Sequence, residues 1–384
     1  MVVINKDQIN QVVALRLFFV TQSLGLSLWL LRIPEVKSTI GLTLIDLSMA
    51  LFMQPLGVLV GFFIAPNLIK LIGNKKSCLY FGALFISSFI LIPIAQTFTF
   101  LSIILFISGM ICAVVEVSMN AIAAQMEEQF KMRMMSRFHA FWSIGALISG
   151  CIVTLLSSLK ISFLLQQILI IPLILLMAIV AANSLPNYNY SNEYLKQKTL
   201  NFFKPPLSLI ILCITPFGAL LLEGALMEWT AVLKRDYQNL TDLKVGIIFC
   251  TFTLSMTLFR FYGDQIINNF GINWTISVSI TSSFFGMILF AQSNTLLFSI
   301  IGATLVGAGI ANIYPLTMTL TAALPGLKEK NVSMVAFVSF CAFLMGAPLI
   351  GFLGEYFGLH VALSLIAPTS LLPLLYLLNG NKKS

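Results

Sequence analysis

Charged side chains are scarce in this sequence. Asp, Glu, Lys and Arg together make up 9% of its 384 residues, whereas hydrophobic residues make up 58%. A soluble globular chain carries roughly 25% charged residues, and its core could not hide this much apolar surface from water. The low charge therefore excludes a water-soluble globular fold, and a lipid bilayer is the expected solvent.

Metal-ligand sets and catalytic groupings are also missing. The two His residues are far apart, and each of the six Cys lies inside an apolar segment without a C-x-x-C partner. Such isolated cysteines are typical of buried apolar positions rather than of disulfides or metal sites. The sequence has no Walker loop and no nucleophile elbow. We therefore expect no cofactor, no metal, no ATP hydrolysis and no enzymatic activity.

The apolar segments lack the alternation of polar and apolar residues that marks barrel strands, and they run about 20 residues each. They predict an all-α polytopic membrane protein. The separators are charged or turn-rich, such as Arg32-Ile33-Pro34-Glu35, although one Lys or one Asn marks the 5/6 and 9/10 divisions. The twelve predicted helices are 11–31, 45–70, 77–96, 101–127, 137–159, 162–184, 207–233, 244–262, 273–293, 295–322, 331–353 and 358–378.

The longest polar stretch, 185–206, follows the sixth predicted helix and includes three Lys residues. It predicts a linker between an N-terminal six-helix bundle, 1–184, and a C-terminal six-helix bundle, 207–384. With the N-terminus placed inside, sixteen of the 22 Lys and Arg residues fall on the inner side. This bias predicts a multi-pass protein of a bacterial inner membrane, with both termini and the linker in the cytoplasm.

The net charge of +8 does not indicate nucleic-acid binding. The basic residues sit in short loops, and no basic helix face with interleaved aromatic residues occurs on a polar segment. They are expected to determine topology, and we expect no nucleic-acid partner.

Arg260-Phe261-Tyr262-Gly263-Asp264, followed by Phe270-Gly271, resembles the loop signature of the major facilitator superfamily. The first-half copy is degraded to Gly73-Asn74-Lys75-Lys76, without Asp. The resemblance implies the major facilitator fold, with 12 transmembrane helices in two pseudo-symmetric six-helix halves and nested inverted repeats. An internal echo agrees: a Gly precedes an intramembrane polar residue in the fourth helix (Gly109, Glu116) and in the tenth (Gly307, Asn312).

Within this superfamily, Glu116-Val117-Ser118-Met119-Asn120 resembles the fourth-helix Glu-x3-Asn element of the fucose:proton symporter branch. The segments 135–145, 223–229 and 311–315 resemble uncharacterised bacterial relatives of that branch. Two departures argue against carrying sugar specificity over to this chain. The symporters' first-helix carboxylate has no equivalent between Leu17 and Leu31, and the Pro after the fourth-helix Asn is Ala121.

Carboxylates inside membrane helices are costly to bury in charged form, so each is a candidate functional group. Glu116 lies near the middle of the fourth helix and shares a face with Asn120 one turn on. We expect Glu116 to couple protons to transport or to bind substrate; a structural interhelix hydrogen bond is the alternative. Glu223 in the seventh helix is the competing proton carrier and a second substrate contact.

In this superfamily the first, fourth, seventh and tenth helices line the central cavity. The resemblance therefore implies substrate contacts from residues on those helices, and Pro315 in the tenth should free a backbone carbonyl there. Trp229 would stack on a ligand ring or anchor the helix at the interface. The predicted contacts are Gln22, Asn120, Glu223, Trp229, Asn312 and Tyr314.

Three residues are candidates for gating. Asp264 with Arg260 is predicted to form a latch that breaks when the gate opens, or else a static loop anchor. His139, near the cytoplasmic end of the fifth helix, is predicted to make an inner-gate hydrogen bond rather than to relay protons.

The resemblance implies a monomeric secondary transporter that works by alternating access. The expected drive is the proton gradient, and the expected cargo is a small polar or amphiphilic organic solute. Export of metabolites, siderophores or drugs stays an open alternative, because the sequence offers few sugar-type hydrogen-bonding side chains. A non-transporting membrane receptor or scaffold would need a large soluble domain, and the longest polar stretch is 185–206.

Overall fold

The computed structural model describes residues 6–132, 134–188, 205–324 and 328–380, and within these ranges it holds helices and no strand. Twelve helices in the described ranges are long and apolar enough to cross a membrane, which confirms the predicted number. Exposed apolar side chains such as Phe63 and Leu176 suit contact with lipid rather than water. The spans are α1 (Lys6–Ile40), α2 (Leu44–Ile72), α3 (Asn74–Ile94), α4 (Phe98–Phe130), α5 (Arg137–Ser158), α6 (Phe163–Asn183), α7 (Leu207–Tyr237), α8 (Asp242–Phe261), α9 (Ile272–Gln292), α10 (Leu296–Thr321), α11 (Met334–Phe357) and α12 (Leu359–Asn379).

The end of α1 differs from the prediction. Helical turns continue through the expected separator at Arg32-Ile33-Pro34-Glu35 and stop at Gly41, whose φ is 77°. Pro34 is the second residue of the helix Ile33–Ile40, where its missing N–H has no intrahelical acceptor to lose. Pro34, which the sequence pattern predicts to end a helix, thus lies at the start of one.

The two weakly marked turns are defined by side-chain hydrogen bonds. At the start of α6, the Ser162 hydroxyl oxygen accepts a bond from the Leu165 N–H at 3.3 Å. Between α9 and α10, the Ser293 hydroxyl oxygen accepts from the Thr295 N–H at 3.2 Å. Such bonds satisfy amides that have no intrahelical partner, so a short polar turn is enough to separate two helices.

The chain divides into two compact units, Met1–Tyr194 with α1–α6 and Leu195–Ser384 with α7–α12. In the first unit α2 packs along α4, and α1 packs against α5 and α6. In the second unit α10 packs between α8 and α9, and α7 packs against α11. Residues 189–204 of the predicted 185–206 linker lie outside the described residues.

Three elements of the second unit depart from a straight helix. The last turn of α7, Val232–Tyr237, is a π-helix. A short helix, Gly263–Phe270, joins α8 to α9. α10 is interrupted after Ile310 and resumes at Ile313, which leaves Ala311 and Asn312 in a turn inside the span.

Candidate functional site: a free carboxyl on α4 and an ion pair beside the α10 break

The position of α4 is set by close backbone packing on α2. A Cβ at Gly109 would lie 2.0 Å from the Gln54 backbone oxygen, and a Cβ at Gly57 would lie 2.0 Å from the Phe106 oxygen. No side chain fits at either position, so the two helices touch through their backbones. In the second unit Gly307 of α10 packs the same way, since a Cβ there would lie 2.6 Å from the Phe252 oxygen of α8. The glycine that recurs in the two halves of the sequence therefore makes the same kind of backbone contact between helices in each unit.

Glu116 lies near the middle of the 33-residue α4 and is half-buried. Its carboxyl forms no hydrogen bond or salt bridge with any residue that the structure describes. Asn120, one turn further along the same face, has a buried side-chain oxygen that accepts no hydrogen bond from the described residues. Glu116 and Asn120 thus share one face of α4, and the Glu116 carboxyl and the Asn120 oxygen both lack a partner among the described residues.

Gln22 lies in α1 and is fully buried. Its amide nitrogen lies 3.1 Å from the point that a Cβ of Gly82 would occupy, so the side chain reaches α3. Neither atom of the amide has a hydrogen-bond partner in the described part of the chain. Buried amides are nearly always hydrogen-bonded in folded proteins, so Gln22 needs a water or a ligand.

Glu223 of α7 and Arg260 of α8 form a salt bridge, with an Nη2–Oε2 distance of 2.8 Å. Their side chains are 16% and 14% exposed. The predicted partner of Arg260 was Asp264, but Asp264 lies exposed in the first turn of the short helix Gly263–Phe270. The structure therefore brings Arg260 together with Glu223 and not with Asp264; the gating role of Asp264 stays a prediction.

Pro315 explains a second contact of Arg260. In a regular helix the N–H of residue 315 would bond to the carbonyl of residue 311, but proline has no N–H. The freed Ala311 carbonyl accepts from the Arg260 Nε at 3.4 Å. The prediction that Pro315 exposes a carbonyl in the tenth helix agrees with this contact, and the acceptor serves a protein cation.

Asn312, in the interrupted part of α10, is buried against the start of the short helix. A Cβ on Gly263 would lie 2.1 Å from the Asn312 side-chain oxygen, so any larger residue at position 263 would require the Asn312 side chain to move. Tyr314, two residues on, is half-buried. Asn312 thus lies within the α10 break that supplies the Ala311 carbonyl to Arg260, and Tyr314 follows it in the next helical turn.

Trp229 of α7 is fully buried, and its indole N–H has no acceptor among the described residues. This burial within the fold argues against a simple interfacial anchor at the membrane surface. Trp29 of α1 matches it in the first unit, because it is 1% exposed and also has an indole N–H without a described acceptor. Trp29 was not among the predicted site residues, although both tryptophans lie in the last third of the first span of their unit.

His139 lies in α5 and is exposed. Its ring meets Phe19 of α1 edge to face, with centroids 5.5 Å apart.

The carboxylate of Glu127, at the end of α4, accepts from the N–H groups of Met134 and Met135. Glu127 therefore joins the end of α4 to the start of α5, a role that the sequence analysis did not assign.

Two buried cations were also missed. Arg32 of α1 donates to the Gln166 side-chain oxygen at 2.9 Å and to the Ile161 carbonyl at 2.7 Å, which ties α1 to the start of α6. Lys234 of α7 is fully buried and donates to the Ser293 carbonyl at 2.9 Å and the Ser299 hydroxyl at 3.0 Å. Each cation follows a tryptophan within five residues in the first span of its unit, a spacing that could have indicated a structural rather than a topological role.

The major facilitator superfamily family model matches residues 17–241, which is more than half of the chain. An uncharacterized MFS-type transporter of Yersinia pestis is 27% identical over 367 residues, covering 94% of this chain and 93% of the relative. The nucleoside transporter NupG superposes with a TM-score of 0.73 at 13% identity, covering 96% of this chain and 99% of NupG. The Escherichia coli fucose:proton symporter FucP superposes with a TM-score of 0.66 at 15% identity, covering 97% and 98%.

The two solved structures show that the chain shares their fold. The family model and the Yersinia relative match the chain in sequence as well. The predicted fold class is thereby confirmed, as is the prediction that the chain is not an enzyme. The chain belongs to the major facilitator superfamily and is a multi-pass membrane transporter.

Proposed function

We propose that the chain is a proton-coupled secondary transporter, in which Glu116 carries the proton. The supporting observation is the contrast between the two carboxyls proposed as proton carriers, Glu116 and Glu223. Glu223 is held by the Arg260 cation at 2.8 Å, whereas Glu116 has no partner among the described residues. Glu116 is therefore the carboxyl of these two whose charge no cation among the described residues compensates, which suits a group that gains and loses a proton.

The cargo in this proposal is a small polar or amphiphilic organic solute. Its contacts come from polar and aromatic groups that need partners, and Gln22, Asn120 and Trp229 each carry a buried polar atom without one. Asn312 and Tyr314 at the α10 break are the further proposed contacts. The names of the structural neighbours, a nucleoside transporter and a fucose:proton symporter, support a polar solute of this size.

The remaining parts of the proposal follow the superfamily plan. Two six-helix halves, 1–184 and 207–384, joined by the 185–206 linker, alternate between inward- and outward-facing states. Arg260, Asp264 and His139 are the proposed gating residues. The protein acts as a monomer in a bacterial inner membrane, with both termini in the cytoplasm.

The test compares two variants in proteoliposomes. Substrates are first found by thermal-stability screening of the purified protein, with fucose and nucleosides at the head of the panel, since binding to the folded state raises Tm. Glu116→Gln keeps the size of the side chain but cannot titrate, so it should retain substrate exchange and lose accumulation under an imposed pH gradient. Glu223→Gln is the matched control. If Glu116→Gln still accumulates substrate and Glu223→Gln does not, the proton carrier is Glu223 and the proposal is wrong.

A further inference from the structure

Arg16 of α1 and Arg137 of α5 form a pair of like charges in the first unit. The Arg16 guanidinium carbon lies 5.2 Å from the centroid of the Phe141 ring. Phe141 is one turn along α5 from Arg137, so both residues share the face that Arg16 meets. Arg16 and Arg137 therefore bring two positive charges to one face of α5, where like charges repel each other.

The other arginines that the structure describes all have a carboxylate. Arg32 pairs with Glu35 at 2.9 Å, Arg235 with Asp242 at 3.6 Å and Arg260 with Glu223 at 2.8 Å. Neither Arg16 nor Arg137 forms a salt bridge with a carboxylate in the described ranges.

The Arg16 Nε is buried and lacks a hydrogen-bond acceptor among the described residues. A buried donor without an acceptor destabilises the fold, and so does a second positive charge beside it. Glu127, at the end of α4, accepts from the Met134 and Met135 amides and forms no salt bridge with either arginine. Among the residues that the structure describes, the two arginines therefore lack a negatively charged acceptor.

The chemistry of the two guanidinium groups indicates which kind of ligand they can bind. Guanidinium groups present N–H donors in a planar fork that matches a carboxylate or a phosphate, and two of them from separate helices can hold one anion from two sides. The Phe141 ring beneath Arg16 holds that guanidinium in place.

We propose that Arg16 and Arg137 bind the carboxylate or phosphate group of a small anionic solute, which makes an organic anion the substrate class of this transporter. The substrate assignment rests on the proposed transport function. The binding site itself does not, since it is tested without a pH gradient or any transport step.

The experiment measures Tm of the purified full-length protein in phosphatidylcholine nanodiscs. Sodium phosphate, sodium succinate and sodium benzoate are each compared with sodium chloride at the same ionic strength. At least one of the three should raise Tm by about 2 °C or more beyond chloride. Arg16→Gln and Arg137→Gln should each abolish that rise. Lys76→Gln, which removes an exposed charge elsewhere in the first unit, should keep it.

Relief of repulsion provides a second readout. Without anion, Arg16→Gln should be at least as stable as the unmodified protein, because one of two repelling charges is gone. A purely structural arginine would instead leave its variant less stable at every anion concentration. Arg137 is exposed, so Arg137→Gln should fold even if Arg16→Gln does not.

Three results would overturn the proposal. The first is that none of the three anions exceeds chloride, and the second is that both Arg variants keep the rise. The third concerns lipid: if phosphatidylglycerol in the nanodisc raises Tm through Arg16 and Arg137 and removes the response to soluble anions, the occupant is a lipid phosphate. Failure of Glu116→Gln to uncouple transport would leave the anion response unchanged, so the two proposals can fail separately.

Discussion

At the scale of single residues, the partner of each ionised side chain indicates what that side chain can do. Glu116 and Glu223 look alike in the sequence, as carboxyls within apolar stretches of their helices. The structure separates them, because Arg260 neutralises Glu223 whereas Glu116 has no partner among the described residues. No local pattern around Glu223 indicates Arg260, which lies 37 positions away on another helix.

The Glu223–Arg260 pair predicts a measurable coupling energy. Replacing one member leaves the other charge without its partner in a site less than 20% exposed, so Glu223→Gln and Arg260→Gln should each lower stability by about 2 kcal/mol. The double variant should lose less than the sum, with a coupling of about 1–2 kcal/mol. Chemical denaturation in detergent micelles gives the four stabilities of the cycle.

Arg235→Gln is the control for this cycle. Arg235 is 34% exposed and lies 3.6 Å from Asp242, so its removal should change stability by less than about 1 kcal/mol. Additive effects of the Glu223 and Arg260 substitutions would show that the pair does not contribute to the fold as argued.

At the scale of helices, small residues decide where the polar groups lie. Gly109 and Gly307 bring α4 onto α2 and α10 onto α8, and these contacts place Glu116 and the α10 break within their own units. The internal echo of the sequence identified both glycines. It could not indicate the helix that each contacts, because that depends on packing between segments about 50 residues apart.

Adding one methyl group at Gly109 should therefore be costly. A Cβ there would meet the Gln54 backbone oxygen at 2.0 Å, and backbone cannot move aside as a side chain can. Gly109→Ala should lower stability by about 3 kcal/mol, the upper part of the range for overpacking. Gly346→Ala is the matched control, since its Cβ would meet the end of the flexible Leu221 side chain at 3.2 Å. Equal Tm values for the two variants would contradict the backbone contact.

At the scale of the whole molecule, the sequence predicts the number and nearly all the bounds of the spans, because each depends on local hydropathy alone. Its main boundary error is α1, where the turn signal of Pro34 failed because proline is also favoured at a helix start. The candidate sites were predicted only in part. Glu116 and Asn120 share a face by simple helical spacing, whereas the Arg16–Arg137 and Arg260–Glu223 pairs join different helices and leave no periodic signal.

Topology gives the last prediction, because the charge bias that predicts it is a property of the whole chain. Sixteen of 22 Lys and Arg residues fall on one side if the N-terminus is cytoplasmic, and each such residue resists transfer across the membrane during insertion. Asn239, exposed in the loop after α7, should then face outward, and Asn192 in the predicted linker should face inward.

The measurement uses Asn239→Cys and Asn192→Cys in a background from which the six native cysteines have been removed. In intact cells a membrane-impermeant maleimide should label Asn239→Cys alone, and it should label Asn192→Cys after permeabilisation. Because an even number of spans places both termini on the same side, reversed labelling would move both termini and the linker outside together. That result would also transfer the Arg16–Arg137 pair from the predicted cytoplasmic end of α1 to the outer one, so the same experiment decides from which side an anion would reach it.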